Sequence, residues 1–539
     1  RDYLKKLLGR LVFLQFLQKK GWMGVPVDKE WGEGNYDFLR QLFLHATPEQ
    51  KDNFLDGVLE PLFTALDTKR TDDIYDTQVP GIGKVKIPYL NGGLFERDSA
   101  DEPDTKFPAE YFDKLFEFFY EYNFTIDEND PNDAEVGVDP EMLGKIFESQ
   151  LEDNKDKGAF YTPKEIVRYM CQESLIAYLE SDTKIEQETL RKFVQVPEEY
   201  VTDIPAEEKN KLQIALEEVK ICDPAIGSGA FPMGLLYELL HCREALSGEH
   251  FDRAEIKKSI IQNNIYGVDI EKGAVDIARL RFWLSIVVDE ETPSPLPNLD
   301  YKIMQGNSLI ESFMGVDLSK LTYEKQHKKD KGEILLFDDE KNRQQKLVSQ
   351  LLSSYYSCSD HDKKIRLRTE IAETINKQLE AQGYNPSILR ELKNIDPSEN
   401  NKFFLWHTWF SDVFNRDDKE GFDIVIGNPP YIGEKGHKEI FQSVKEDIHL
   451  GQYFLGKMDY FYFFFHLAFN MLSPNGVATF ITTNYYPTAL GARKLRADIK
   501  ERMNIRTLFN LGELRLFENA PGQHDMISSF SKSECKCQI

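Results

Sequence analysis

The chain has 539 residues, a formal net charge of −25, 41% hydrophobic residues and 29% charged ones. That length supports two to four domains with ample core and excludes a small scaffold that needs disulfides. The acidic balance excludes a strong nonspecific grip on phosphates by the whole surface, so any nucleic-acid binding must rest on local basic patches or on a missing part.

No run approaches the ~18 consecutive apolar residues of a membrane span, so no membrane partner is expected. The Phe-rich stretch Tyr460 to Phe469 reads as a buried helix. Cys171, Cys222, Cys242, Cys358, Cys535 and Cys537 are scattered, with no zinc-finger spacing. No metal site and a reducing cytoplasm are therefore expected. The chain opens at Arg1 inside a helical pattern and ends in a polar tail over 531–539, which reads as a piece cut from a longer protein.

Residues 1–140 read as a helical domain. Leu4, Leu7, Leu8, Leu11, Leu14 and Leu17 repeat at three- and four-residue spacing, the mark of a buried helical face, with Lys5, Lys6 and Arg10 largely off it. Ile87-Pro88-Tyr89-Leu90-Asn91-Gly92-Gly93-Leu94-Phe95 interrupts the pattern as a packed turn. Tyr111 to Tyr122 is an aromatic helix, more a core element than a binding stripe. Asp127 to Glu135 is an acidic linker.

Thr162 precedes Pro163 and the periodic Ile166, Val167 and Met170, which predicts an N-cap with proline at the first helical position. A helix start of this kind serves structure alone, or its amides and hydroxyl hold a carboxylate. Residues 181–219 are polar and read as a spacer or insertion.

Val219 to Cys222 reads as a strand. Asp223-Pro224-Ala225-Ile226-Gly227-Ser228-Gly229-Ala230-Phe231 follows, then a helix from Met233 to Leu240. Strand, glycine loop and helix open a doubly wound nucleotide-binding unit. The loop lacks both G-x-G-x-x-G and Gly-Lys-Ser/Thr, and carries an acid at the strand end, suited to an ammonium group. Ile265 to Ile270 is the next strand and delivers Asp269, placed to accept from ribose hydroxyls. Ile303 to Leu309 is a third, with Asn307 placed to read an adenine edge. A carboxylate, a ribose contact and an adenine contact without a phosphate cradle together describe S-adenosylmethionine.

From Glu311 to about Asn401 the pattern is helical and charged, an insertion. Its clusters Lys328, Lys329, Lys331 and Lys363, Lys364, Arg366, Arg368 read as solvated helix faces. The strand Ile424-Val425-Ile426-Gly427 then runs into Asn428-Pro429-Pro430-Tyr431. Asn-Pro-Pro after a strand is either a tight turn or a receptor. As a receptor, the Asn carbonyl and a proline-fixed backbone carbonyl accept both hydrogens of one exocyclic amino group, and Tyr431 stacks on the ring that carries it. Val477 to Ile481, Ile505 to Leu511 and Met526 to Phe530 read as closing strands.

Taken in order, Tyr161-Thr162-Pro163, Asp-Pro-Ala-x-Gly-Ser-Gly-x-Phe, Gly-Val-Asp-Ile, Gly-Asn-Ser-Leu and Asn-Pro-Pro-Tyr resemble the motif series of gamma-class N6-adenine DNA methyltransferases. With Leu-Asn-Gly-Gly-Leu-Phe, the chain is similar over about 85–530 to the modification part of type IIG restriction–modification enzymes. The resemblance implies an α/β, Rossmann-like S-adenosylmethionine-dependent methyltransferase with a helical N-terminal domain and a helical insertion. The parts would be 1–140, 141–310 as cofactor half, 311–401 as insertion, 402–530 as target-base half, and 531–539 as tail. It assigns the cofactor to Tyr161, Thr162, Asp223, Pro224, Ala225, Gly227, Gly229, Asp269, Asn307 and Ser308. Asn307 stands where an Asp is usual, and so accepts more weakly. Catalysis falls to Asn428, Pro429, Pro430 and Tyr431, with Phe517 sandwiching the flipped adenine opposite Tyr431. Implied partners are double-stranded DNA and a recognition domain, with a nuclease domain in some members, outside this sequence. The alternatives are methylation of RNA or of a protein glutamine, and a noncatalytic DNA-scanning subunit that binds the cofactor.

Overall fold

The computed structural model describes residues 2–90, 93–96, 106–121, 162–248, 251–319, 336–356, 358, 360–381, 384–512, 514, 516 and 524–532. The chain divides into two compact units: Arg1–Phe147 with Asp276–Asp300 and Tyr355–Arg366, and Glu148–Val275 with Tyr301–Ser354 and Leu367–Ile539.

The first unit is mainly helical, with α1 (Asp2–Lys19), α2 (Phe38–His45), α3 (Glu60–Asp67) and α4 (Ala109–Glu121), and one hairpin pairing Ile74–Asp76 with Lys84–Lys86. The leucine stripe of α1 is buried at Leu7, Leu11, Leu14 and Leu17, while Leu4 is exposed. Arg10 corrects the sequence reading, because it is fully buried. Its guanidinium donates to the carbonyls of Leu94 and Glu96, both at 2.9 Å, and lies 3.6 Å from Glu60. A buried charge with planar donors is tolerated where carbonyls and an acid meet it. On α4, Phe112 and Phe116 turn inward onto Phe54, and Tyr111, Phe118 and Tyr120 stay exposed. The aromatic helix is core on one side, as its spacing implies.

The second unit is built on a seven-stranded sheet: β1 (Ile221–Asp223), β2 (Ile265–Asp269), β3 (Ile303–Gln305), β4 (Phe422–Gly427), β5 (Leu472–Thr483), β6 (Met503–Asn510) and β7 (Asp525–Lys532). The spatial order is 6-7-5-4-1-2-3. Strands 3, 2, 1, 4 and 5 are parallel, and β7 pairs antiparallel with both β5 and β6. The chain moves outward from β1 to β3, then returns to the other side of β1 at β4. The sheet's topological switch point therefore lies between the ends of β1 and β4.

Both faces of the sheet are covered. Neighbouring residues on a strand point to opposite faces. Thr479 accepts from Ser174 of α5 (Lys164–Thr183) at 2.9 Å, while the next residue, Phe480, packs edge-on against Phe465 of α9 (Phe461–Met471). In chain order between these, α6 (Ala230–Ser247) and α7 (Arg253–Asn263) follow β1, and α8 (Lys272–Asp289), after β2, belongs from Asp276 on to the first unit.

Residues 181–219 are not a spacer. They form helices Gln187–Gln195 and Ala206–Glu218, whose Leu190, Phe193, Leu212 and Leu216 are fully buried, and Tyr178 of α5 donates to the Ala215 carbonyl. Only a narrow apolar stripe faces inward, which is why composition alone reads polar. In the 311–401 stretch, helices span Leu336–Tyr356, His361–Ala381 and Pro386–Leu392. Lys328, Lys329 and Lys331 lie outside the described residues, and Lys364 is 3% exposed rather than solvated.

The amino-terminal ends of the central strands are tied by one carboxylate. Asp423 in β4 is 2% exposed and accepts from the Lys220 N–H before β1 at 2.9 Å, from Ser473 in β5 at 2.9 Å, and from both Arg416 nitrogens at 2.8 and 3.1 Å. Removing one member of a buried, hydrogen-bonded ion pair strands the other charge. Asp423→Ala is expected to destabilise the protein by about 3–5 kcal/mol, read as a shifted midpoint in chemical denaturation.

Candidate active site

The site is assembled at the switch point from three segments of the second unit. From β1 comes Asp223, 1% exposed. From β4 come Gly427, buried, and then Asn428, half-buried. From the lead-in to α5 comes Thr162, 4% exposed.

Gly427 fixes how the first two meet. A Cβ placed on it would stand 2.6 Å from the Asp223 Oδ1, so only glycine lets the carboxylate lie against this strand end. The amide of Asn428 donates through Nδ2 to the Thr162 Oγ1 at 3.1 Å. That bond sets which edge of the amide is donor and which is acceptor.

The Thr162 bond also corrects the helix-start reading. The first helical residue of α5 is Lys164, and Pro163, with φ −57° and ψ 144°, is the residue flanking it. Thr162 thus stands one position too early to cap the helix, and its hydroxyl turns to Asn428 instead. Proline keeps its predecessor in extended backbone, which carries that hydroxyl away from the first turn.

The glycine loop is held from within. Gly227 and Gly229 have φ of +53° and +86°, a region open to glycine and strained for other residues. The Gly227 N–H donates to the Asp269 Oδ2 at 2.9 Å, and the Gly229 N–H donates to the Ile226 carbonyl at 2.8 Å. These two amides are therefore already engaged within the protein. Asp269 accepts a second backbone hydrogen, from Glu271, at 2.9 Å on its other oxygen. The Ser308 hydroxyl donates to the Pro224 carbonyl at 2.6 Å and so braces the loop. Ala225 donates its N–H to the Asp223 Oδ1 at 3.0 Å. Asn307 is half-buried and its Oδ1 accepts the Leu309 N–H at 3.3 Å in a local turn, so its amide is partly committed to its own backbone.

Burial pushes the Asp223 carboxyl well above the usual carboxylate range; the Ala225 N–H opposes the shift and the Asp269 charge adds to it. The site therefore contains an acid whose charged form has lost water and gained little in return.

Tyr431 leaves the strand end pinned at its tip. Its hydroxyl donates to the Ile481 carbonyl at 3.0 Å and its ring meets Phe461 edge-on at 6.0 Å. Burial pushes its phenol well up, so it remains a donor. Pro429 is buried and Pro430 half-buried beside it. Tyr161 and Phe517, both expected at the site, lie outside the described residues. Among the described residues no cluster of His, Cys, Asp or Glu could hold a metal ion, and no helix is long and apolar enough to cross a membrane.

Sequence reasoning missed three features here: the close approach at Gly427, the Asn428–Thr162 bond and the tether on Tyr431. The only signal for any of them was a glycine ahead of Asn-Pro-Pro.

Part of the chain matches a known family model, and several known proteins are similar to it. Residues 263–517 match the model of the Eco57I restriction-modification methylase. RM.MjaORFECS2P of Methanocaldococcus jannaschii, described as a type II restriction enzyme and methyltransferase, is 26% identical over 94% of this chain and 46% of its own length. The adenine-specific methyltransferase BrxX of Escherichia coli O9:H4 (strain HS) is 23% identical over 71% of this chain and 31% of its own. The chain thus spans less than half the length of either relative. Among solved structures, the type IIL restriction-modification enzyme MmeI in complex with DNA aligns over 98% of this chain and 57% of its own, with a TM-score of 0.47 and 14% identity.

A carboxyl with a raised folded-state pKa keeps its proton in the native state, so stability falls as pH climbs from the ordinary value of about 4 toward the folded one. Asp223→Asn removes that titration, and its amide oxygen still accepts from Ala225. The difference in unfolding temperature between variant and wild type should move in the variant's favour as pH rises from about 4 to 8. A difference that stays constant across this range rejects the uncompensated acid.

Proposed function

We propose that this chain, which carries an Eco57I restriction-modification methylase domain over residues 263–517, is the methyltransferase part of a DNA modification enzyme. It transfers a methyl group from S-adenosylmethionine to adenine N6 within a restriction–modification or related phage-defence system. The observation that carries the reading is the meeting of a buried acid, Asp223, with Gly427-Asn428 at the sheet's switch point.

The residues present fit the cofactor. Asp223 is a dehydrated carboxyl that an ammonium group would compensate. Asp269, held by two backbone donors, one on each oxygen, is a carboxylate suited to ribose hydroxyls. With the Gly227 and Gly229 amides engaged by Asp269 and Ile226, a ligand without phosphate suits the loop. Thr162, with Tyr161, would border the carboxylate end, and Asn307 the adenine edge, with Pro224, Ala225, Gly227, Gly229 and Ser308 shaping the wall between. When bound, the cofactor supplies an electrophilic sulfonium methyl.

The chain's own residues prepare the nucleophile. In this reading the Asn428 Oδ1 and the Pro429 carbonyl accept the two hydrogens of N6, which draws the lone pair out of conjugation with the ring. Tyr431, tethered at its hydroxyl, offers a fixed ring for the everted base to stack on, and Phe517 closes from the other side. Preorganised acceptors do most of this work, because they need no rearrangement as charge develops. The DNA is double-stranded, the work is cytoplasmic, and the recognition domain and any nuclease belong to parts of the protein beyond this sequence.

The test is methyl transfer by the full-length protein, with tritiated cofactor and DNA, RNA and protein substrates in parallel. Asn428→Ala should lower transfer to DNA by ~10²–10³-fold while cofactor binding by calorimetry is retained. Normal turnover by that variant, or label appearing in RNA or protein instead, overturns the reading. Tyr431→Ala should weaken capture of a duplex with an unpaired target adenine by roughly 1–3 kcal/mol.

A further inference from the structure

We infer that the turn after β5, Tyr485 to Leu490, is a wedge whose Leu490 side chain enters the DNA stack where the target adenine leaves it. The inference rests on the proposed function above and names a part of the machinery it needs.

Leu490 is 82% exposed, more than any other large hydrophobic residue described. A single exposed leucine on a loose loop would mean little. This turn is not loose. Arg496 donates through Nη1 to the carbonyls of Tyr486 at 2.8 Å and Ala489 at 2.6 Å. The N–H groups of Thr488 and Ala489 return to the Tyr485 carbonyl at 3.1 and 2.9 Å. Tyr486 is buried and donates to the Ser528 hydroxyl at 2.9 Å. The apolar tip is thus displayed by a rigid base.

That base is joined to the exit of the Asn-Pro-Pro-Tyr segment. A Cβ on Gly491 would stand 2.0 Å from the Lys457 carbonyl oxygen, so the turn is pressed against the Lys457 backbone. Lys457 sits at φ +52°, and its N–H donates to the Glu434 carboxylate. The Glu434 N–H donates to the Met458 carbonyl at 2.9 Å, and Tyr460 donates to the Ile432 carbonyl at 2.8 Å. From Tyr431 to Leu490 the path crosses three backbone segments in direct contact.

The charge around the tip suits a polyanion. Lys435, Lys457 and Arg493 are exposed, and among the described residues none of their side chains forms an ion pair; the half-buried Glu434 carboxylate beside them accepts the Lys457 N–H. In a chain of net charge −25, such a local group of unpaired cations marks a surface for phosphates. Extruding a base leaves a gap in the stack, and leucine is among the side chains that fill such gaps.

The experiment uses the full-length protein and duplexes carrying the site it modifies, with 2-aminopurine at the target position for extrusion and adenine there for turnover. One duplex is matched and one places an abasic position opposite the target, so that the base is already unpaired. Leu490→Ala should lower both the fluorescence gain and the methylation rate on the matched duplex by about 10-fold or more, and recover toward wild type on the abasic-opposed one. Leu490→Met should behave as wild type, and neither change should move the unfolding temperature. An equal loss on both duplexes, or none on the matched one, overturns the wedge. Wild-type protein that neither extrudes nor methylates any duplex sinks the underlying reading itself.

Discussion

Everything at this site depends on one close approach. The Asp223 carboxylate lies where a side chain on Gly427 would otherwise stand. Two parallel strands that separate at their carboxyl ends would normally leave a crevice lined by whatever side chains come next. Here the glycine removes one wall. It lets the acid from β1 sit beside the backbone that delivers Asn428, so two chemically opposite demands share a single place. A cation is called for on one side, and on the other an amide edge stands next to a proline-fixed carbonyl. Any larger residue at 427 would force these apart and leave two unrelated strand ends.

The two ends of the same sheet treat their carboxylates in opposite ways. At the amino-terminal end, Asp423 collects a guanidinium, a hydroxyl and a backbone N–H, and is satisfied by the fold itself. At the carboxyl end, Asp223 receives one N–H from Ala225, and burial drives its pKa up. A fold that can pair a buried acid so fully at one end and leaves another so poorly paired 200 residues earlier in the chain is accepting a local loss of stability. Such losses gather where a ligand supplies what the protein withholds. The same contrast separates the two acids of the site. Asp269 is organised by two backbone donors and sits at the rim, whereas Asp223 is deep and waiting for charge.

Much of this was legible in the chain. Each central strand is an apolar run closed by a polar residue, so β1, β2 and β4 could be located within a residue or two, while β3 starts where expected but ends at Gln305 rather than Leu309. The glycine loop announced itself by composition. What could not be read was anything set by distant partners. Thr162 looked like a helix cap because Thr-Pro is a common start, yet the proline displaces the helix by a residue and gives the hydroxyl to Asn428, 266 positions away. Arg10 looked to lie off the buried stripe because its carbonyl partners come from Leu94 and Glu96, far along the chain. The 187–218 helices looked like a spacer because their polar faces outnumber the few leucines and the phenylalanine that anchor them. Local pattern specifies elements well; it does not say which side chains from far along the chain will meet.

The acidity of the chain then takes on a definite meaning. A net charge of −25 repels a polyanion over most of the surface. Salt-screened repulsion of that kind fades within roughly 8–10 Å, so it cannot prevent contact at a point where cations stand unpaired. Lys435, Lys457 and Arg493 occupy such a point, on segments that touch one another beside the exit from Tyr431. Under the function proposed above, repulsion elsewhere with attraction there discourages loose binding along arbitrary faces and favours contact at that point. On this view the charge that first argues against a DNA enzyme works as an orienting device.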